Sequence, residues 1–427
     1  MSSNRPLRAI GDADPAARPG LRIGIDATCL GSGRGYGRFV RELLPPLVTL
    51  DDRNEYVLFV DEHTAAELGP LPARCVVPPT SQSQADAASA RGQRRVVDMW
   101  RMGRAVADAQ LDVMYFPSVY SFYPVPGRTP VAVAFHDIIP ERYGAVVFPT
   151  RWNRFLWDAK VLLARRRARG LITVSEWSRR ALAEHFGTPP DEIWVTLEAP
   201  SPVFRPALEA APRRAWLRDH GIPEDAAYFV YVGGFNPHKN LTALIDAFAD
   251  VAAERPSLHL LLVGDFEGDV FHIDVASLRE RIAARGVAGR VHLPGFVPDE
   301  ALRHLYTGAL ALAIPSLEEG FGLPAVEAAA CGTGCIATRN SPLPDVLAGG
   351  GLFVDPLDTA ALRAALAACA DDEGLRRKHG AAALERAGRL SWRATADATR
   401  RALEEIARGR TARARGPVAV AAAGGAR

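Results

Sequence analysis

Lysine is nearly missing from this chain. Only Lys160, Lys239 and Lys378 occur in 427 residues, and the remaining basic residues are arginine. A GC-rich genome accounts for the preference, and it makes each surviving lysine worth locating. Excess charge is missing too. The 51 basic and 49 acidic residues leave +2, whereas a dedicated nucleic-acid binder carries a strong basic surplus. No apolar run reaches the ~18–20 residues needed to cross a bilayer, and Met1 to Gly20 lacks the hydrophobic core of a secretory signal. Cysteine is scarce and odd in number, at five, so a disulfide framework is not expected. Cys331 and Cys335 lie four apart, but no second Cys/His pair completes a zinc site. These absences point to a reduced, soluble, cytoplasmic protein. Hydrophobic residues at 48% and charged residues at 23% are ordinary globular values, which excludes a disordered or fibrous chain. The length suits two domains of ~100–200 residues each.

The first twenty residues are rich in Pro, Gly, Ala and Asp and read as unstructured. Leu21–Ala27 then reads as a buried strand. A glycine loop, Gly31-Ser32-Gly33-Arg34-Gly35-Tyr36-Gly37, and an apolar-periodic helix through Phe39, Val40, Leu43 and Leu44 follow it. Pro45 and Pro46 should end or kink that helix. Apolar runs at Tyr56–Val60, Val113–Phe116, Val131–Phe135, Leu171–Val174 and Ile193–Thr196 continue the series. Trp152, Leu156, Ala159 and Leu163 mark a helical stripe between them, and residues 80–95 read as a loop. After the Pro-rich stretch near Ser201–Arg214 a second series begins. Its strands are Ala227–Val232, Leu258–Val263, Arg290–Leu293, Leu310–Ile314, Gly334–Ala337 and Gly351–Val354. Its helices include Leu241–Val251, Asp299–Tyr306, Leu323–Cys331 and Thr359–Ala370, and a late helix, Trp392–Ala407, has no strand after it. Alternating strand and helix means parallel sheets covered on both faces. The expected class is α/β: two Rossmann-like, doubly wound domains facing across a cleft, with ligands at the carboxyl ends of the strands. The boundaries fall at 1–20 for the leading segment, 21–204 and 205–390 for the two domains, 391–408 for the last helix and 409–427 for an Ala/Gly/Arg-rich tail.

Residues 315–332, PSLEEGFGLPAVEAAACG, carry the densest signal. A strand ends at Ile314, a glycine turn follows, and a helix starts near Leu323. Pro324 suits its first turn and Gly332 its C-terminal cap. The amides of Gly322 and Leu323 point out of the helix start and make an anion site. Glu319 precedes that site and Glu327 lies about one turn beyond it. Two carboxylates flanking an anion site suit a ligand with hydroxyls on both sides of a diphosphate.

This stretch, E-x7-E around GFGLP followed by ACGT, resembles the signature of family 4 retaining glycosyltransferases of the GT-B fold. IGIDA with its GYGR loop, FHDIIPERY, ITVSEWSRRAL, YVGGFNPHKN, VHLPGFVPDEAL and LFVDP stand in that family's order over most of the chain. The resemblance implies that Glu327 holds the ribose hydroxyls of a nucleotide and Glu319 the donor sugar, assisted by the Phe321 and Gly322 backbone. It implies that the Leu323 N–H binds the diphosphate and that His136 contacts the sugar near the reacting carbon. It also implies that the last helix crosses back to the N-terminal domain.

Lys239 lies in Gly233-Gly234-Phe235-Asn236-Pro237-His238-Lys239-Asn240, with Asn240 as the expected N-cap of the following helix. A lysine beside a helix start can neutralise a leaving diphosphate. The family pattern has a second cation here, an arginine, where this chain has Gly234 and His238. His238 is then a pH-dependent stand-in, or another arginine reaches in. In the N-terminal loop, Gly35 and Gly37 let backbone approach phosphate or acceptor. Glycines at 31, 33, 35 and 37 do not fit G-x-G-x-x-G, and no strand-end acid follows at the required distance, which disfavours a dinucleotide oxidoreductase. Asp137 reads as a loop-orienting acid and Ser175 as a helix cap. Arg165, Arg166, Arg167 and Arg169 form a solvated helix end, or an attractor of an anionic lipid or phosphate-bearing acceptor.

The expected function is retaining transfer of a sugar from a UDP- or GDP-sugar, GDP-mannose among them, to a hydroxyl of a glycan, lipid-linked or small-molecule acceptor. The expected catalytic set is His136, Lys239 and Glu319, with no metal or cofactor. Nucleic acid is not expected as a partner, and contact with the inner face of a membrane is left open. The alternatives are a GT-B-like sugar-nucleotide epimerase and a non-catalytic nucleotide-sugar-binding protein.

Overall fold

The apolar runs become the strands of two separate parallel sheets. The computed structural model describes residues 20–81, 95–148, 150–265 and 275–412. The ends and the loop read from the sequence as unstructured lie almost wholly outside these. In the first sheet the strands are β1 (Arg22–Asp26), β2 (Glu55–Phe59), β3 (Arg74–Val76), β4 (Val113–Phe116), β5 (Val131–Ala134), β6 (Gly170–Thr173) and β7 (Ile193–Val195). Their order is β3-β2-β1-β4-β5-β6-β7. The second sheet holds β8 (Ala227–Val232), β9 (Leu258–Val263), β10 (Val291–Gly295), β11 (Leu312–Ile314), β12 (Cys335–Thr338) and β13 (Gly351–Val354), ordered β10-β9-β8-β11-β12-β13. Every pairing is parallel. In each sheet the winding reverses once, between β1 and β4 and between β8 and β11. Ligands of doubly wound sheets sit at such reversals, beyond the carboxyl strand ends. The loops carrying Lys239 and Glu319 follow β8 and β11, so both expected site segments start at the second reversal.

The helices that matter to the site are α1 (Gly35–Thr49), α2 (Val96–Asp108), α3 (Arg151–Arg167), α4 (Glu176–Phe186), α5 (Leu241–Ala252), α6 (Asp299–Gly308), α7 (Leu323–Ala330), α8 (Thr359–Asp371), α9 (Glu373–Ala387) and α10 (Trp392–Ala407). One face of the first sheet packs on Met102 and Val106 of α2, Trp157 and Val161 of α3 and Leu182 of α4. The other face carries α1 and α10, and this core continues without a break into α6 and α7 of the second domain. A third cluster joins α5 and α8 to the far face of the second sheet. The last helix does cross back. Trp392 meets Phe39 edge-on at 5.8 Å, and the Trp194 indole donates to Glu405 at 2.8 Å. The chain therefore passes between the domains twice. The Thr395 hydroxyl, just after the second passage, donates to the Leu197 carbonyl at the start of the first, at 2.5 Å.

Two local expectations fail for physical reasons. Helix α1 runs through Pro45 and Pro46 to Thr49. Leu47 and Val48 beyond the prolines are almost fully buried, and the Thr49 hydroxyl donates to the Pro45 carbonyl at 2.6 Å, so packing outweighs two lost backbone bonds. Asn240 does not cap α5 with its side chain. It stands in the left-handed region, φ 57°, and its amide donates instead to the carbonyls of Pro315 and Pro356 at 3.2 and 2.8 Å. The stripe Trp152, Leu156, Ala159, Leu163 is helical as expected, and Trp152, Leu156 and Leu163 are exposed, Trp152 at 60%.

Candidate active site

Gly322 opens α7 from a backbone φ of 87°, which only glycine adopts freely. A Cβ there would also lie 2.8 Å from Leu343 Cδ1. Pro324 follows in the first turn, and Gly332 closes the helix at φ 82°. The loop before α7 is tied down by two backbone bonds, Leu317 N–H to the His238 carbonyl at 2.8 Å and Glu319 N–H to the Asn340 carbonyl at 3.1 Å. The first of these binds the two expected donor loops to each other. Lys239 Nζ then meets Glu319 Oε1 at 2.7 Å, and the Ser316 hydroxyl donates to the same oxygen at 2.5 Å. The structure thus joins one ammonium and one carboxylate at the mouth of a helix N-terminus, 80 residues apart in sequence. Phe321 and Leu323 turn their side chains into the core, so each can offer a ligand only its backbone.

Glu327 is 2% exposed. The Tyr306 hydroxyl donates to its Oε2 at 3.2 Å, and Arg38 Nε stands 3.1 Å from Oε1. Burial pushes its carboxyl up to about 8, and the Arg38 guanidinium opposes that push. Arg38 comes from the other domain, in the first turn of α1. It also makes a two-pronged pair with Asp299 at 2.7 and 3.2 Å, and it stacks 5.2 Å above Phe204. A second arginine makes the same crossing, with Arg142 Nη1 2.7 Å from Glu318 Oε1. Nothing local in the sequence separates these two from the many other arginines, and both were missed.

His238 fails as a stand-in cation. Burial, with Lys239 next door adding to it, depresses its imidazole to about 3, and its Nδ1 is buried without a hydrogen-bond partner. Without an anion beside it the ring is held neutral, which counts against the pH-dependent cation read from the sequence. His238 keeps a backbone role through its carbonyl.

His136 lies at the carboxyl end of β5, as expected, but both its ring nitrogens are engaged inside the protein. Nε2 is 2.9 Å from the Pro117 carbonyl and Nδ1 is 3.3 Å from Glu198 Oε1. Burial lowers its pKa, but the Glu198 carboxylate and the Pro117 carbonyl outweigh burial and raise it. Two acceptors on two nitrogens fit the imidazolium. Asp137 accepts from the Ile139 N–H at 2.9 Å, which fits its loop-orienting reading. Burial raises it to about 6. Ser175 caps α4 by accepting from the Ser178 N–H at 3.0 Å, and it does more. Its hydroxyl and that of Ser178 donate across the cleft to the Gly320 carbonyl at 2.7 and 3.1 Å. A Cβ on Gly320 would lie 2.6 Å from the His136 carbonyl, so glycine alone allows this approach of the two domains.

In the N-terminal loop the two glycines differ. A Cβ at Gly37 would overlap the Ser32 carbonyl at 2.1 Å, so Gly37 serves the loop's own folding, whereas Gly35 has open space on that side. Among the described residues no group of three or more His, Cys, Asp or Glu is placed to hold a metal ion. All five cysteines are free, four of them buried. No helix among the described residues is long and apolar enough to cross a membrane.

Residues 34–196 match the family described as Glycosyltransferase Family 4, and residues 212–386 match Glycosyl transferases group 1. Over 382 residues the chain is 28% identical to the O-antigen chain mannosyltransferase B of Escherichia coli, covering 84% of this chain and 92% of that one. It is 34% identical over 220 residues to the D-inositol 3-phosphate glycosyltransferase of Corynebacterium efficiens, covering 50% of this chain and 51% of the relative. In fold it resembles a sucrose-phosphate synthase of Thermosynechococcus elongatus, with a TM-score of 0.69 at 19% identity over 90% of this chain and 99% of that one. The Anabaena protein HepE, crystallised with UDP and glucose, superposes with a TM-score of 0.68 at 20% identity, covering 90% and 100%.

Proposed function

We propose, for a chain that belongs to the group 1 and family 4 glycosyltransferases, that its cleft takes a nucleotide-diphosphate sugar and transfers the sugar with retention, without a metal. The observation that carries the reading is the Lys239–Glu319 pair at the start of α7, the helix that also bears Glu327. A donor laid along that helix has its ribose hydroxyls at Glu327, its diphosphate at the Leu323 N–H and Lys239, and its sugar hydroxyls at Glu319. Helix amides and an ammonium favour the diphosphate most when negative charge accumulates on it, which happens as the glycosidic bond breaks. The phosphate oxygen that leaves the anomeric carbon then takes the acceptor proton on the same face. The acceptor oxygen forms its new bond from that face, and configuration is kept. Arg142, now held by Glu318, fits the second cation that His238 does not supply. His136 contributes as a backbone anchor through its carbonyl, because its ring nitrogens are already occupied.

The likeness along most of the chain to an O-antigen chain mannosyltransferase favours GDP-mannose among the donors. Incubation with UDP-, GDP- and dTDP-sugars, with and without acceptors, tests the reading through nucleotide release and the anomeric configuration of the product. Turnover of donor alone to an isomer means an epimerase. Binding without turnover under any acceptor means a nucleotide-sugar-binding protein.

A further inference from the structure

The cation that meets Glu327 belongs to the other domain. Arg38 stands in the first turn of α1, and its backbone N–H donates to the Arg34 carbonyl at 3.0 Å. Gly37 before it has no room for a side chain against the Ser32 carbonyl, so the turn presents Arg38 from a fixed frame. The guanidinium is held on three sides. Both Nη atoms meet Asp299 of α6, at 2.7 and 3.2 Å, and the group lies 5.2 Å over the Phe204 ring. Its Nε stands 3.1 Å from Glu327 Oε1. A two-pronged carboxylate pair with an aromatic stack fixes a planar guanidinium, and would not fix an ammonium in the same way. Glu327 Oε1 is buried, yet it accepts no hydrogen bond from a described residue. Arg38 therefore offers this oxygen charge rather than a bond, and leaves its lone pairs for a ligand hydroxyl.

A buried carboxylate without a counter-ion takes up a proton and ceases to be a charged acceptor. The other groups that face Glu327 do not prevent this. Glu42 of α1 and Asp299 of α6 carry like charge and favour the proton further. The Tyr306 hydroxyl of α6 supplies one neutral bond, to Oε2 at 3.2 Å. Cys331 at the end of α7 is uncharged, because burial pushes its thiol up to about 12. Arg303 of α6, which faces Cys331, pairs with Glu300 at 3.4 Å. The positive charge that opposes burial at Glu327 is that of Arg38.

We propose that Arg38 is a positioning residue for the donor: it keeps Glu327 charged for the ribose, and does so only while the N-terminal domain is docked on the second. The carboxylate belongs to one domain and the charge that sustains it to the other. Nucleotide binding and domain docking therefore strengthen each other by the same factor. The proposal rests on the reading of Glu327 as the ribose site.

Titration of the whole chain with UDP and GDP between about pH 6 and 9 tests it. Wild-type affinity should rise with pH and level off above about 8, where the Glu327 carboxyl has given up its proton. In Arg38→Gln the rise should move up by at least about one pH unit. The variant should then bind at least about fourfold more weakly near pH 8, and like the wild type near pH 6. Arg38→Lys keeps the charge and should restore most of the difference. In a Glu327→Gln background, Arg38→Gln should cost nothing further. A loss of the same size at every pH, or none, would make Arg38 at most a clamp between the domains. Tighter binding in Arg38→Gln would mean that it blocks the ribose site. Either result overturns the proposal, as does an equal loss in the Glu327→Gln background. Should Glu327→Gln alone bind like the wild type near pH 9, the ribose reading itself fails and takes the proposal with it.

Discussion

Replacing Glu327 by glutamine should strengthen the fold and weaken the site, and the two effects can be measured on one protein. In the folded chain burial raises this carboxyl from the ordinary 4.5 to about 8. The unfolded chain gives up the proton near 4.5, so between the two values the folded state holds a proton that the unfolded state has released. A group with its folded pKa raised contributes stability that is complete below about 4.5 and is lost as the pH climbs to about 8. At 1.36 kcal/mol per pH unit, the loss is under 1 kcal/mol at pH 5 and about 3 kcal/mol at pH 7. Glutamine has the same shape, still accepts from the Tyr306 hydroxyl, and has no proton to lose. Glu327→Gln should therefore leave the melting temperature nearly unchanged at pH 5 and raise it by several degrees at pH 7–8, at roughly 2 °C per kcal/mol for a large chain. Ribose hydroxyls would meanwhile lose a charged acceptor wherever the wild-type carboxyl is ionised, so a fall in UDP or GDP affinity of about 10- to 100-fold, for a bond worth about 1.5–3 kcal/mol, should show at pH 8–9 and shrink toward pH 6. Thermal scans from pH 5 to 8 and isothermal titration with both nucleotides give the two readings. A melting difference that does not change with pH would mean that Arg38 keeps the carboxylate ionised. Unchanged nucleotide affinity would remove Glu327 from the ribose site.

Lys239→Ala should lower the transfer rate by roughly 10²–10³, with a smaller loss in nucleotide binding, as for one lost donor to a developing anion; equal losses in both, from single-turnover kinetics and titration, would contradict the role. His238→Ala should leave the shape of the pH–rate profile as in wild type between pH 5 and 8, because the ring is neutral there; a lost limb would restore it as the second cation. Activity should survive EDTA. Complete loss on chelation, restored by magnesium or manganese, would replace the proposed phosphate chemistry.

How much of this could be read from the chain depended on how local each signal was. Buried parallel strands are largely apolar runs, so β4, β8 and β9 coincide with the runs from the first residue to the last. Strand β3 is three residues at the sheet edge, with Arg74 and Cys75 exposed, and left no such run. Helix α9 buries Gly380, Ala383 and Ala387, residues too small to make an apolar stripe stand out. On α3 the period gave the helix, but periodicity marks a face without saying what covers it, and the burial of Trp157 and Val161 on another face was not legible. The site segments at Lys239 and Glu319 were legible through turn glycines, prolines and a helix start. Arg38, Arg142 and Glu198 were not, since each acts on a partner more than sixty residues away.

Two passages of the chain between the domains meet at the Thr395–Leu197 hydrogen bond. If the contacts across the cleft and the shared core layer loosen, the two covalent passages still hold the domains together at this place, which favours turning over sliding apart. The freedom left is rotation, and displacement grows with distance from the pivot. Opening the molecule to admit a donor therefore works as a lever whose fulcrum lies beside Leu197. At its working end lie the Arg38–Asp299, Arg142–Glu318 and Ser175–Gly320 contacts, which such an opening would break. A stiffer fulcrum, such as a cross-link between residues 197 and 395, would slow admission and release of nucleotide while leaving every residue of the cleft untouched.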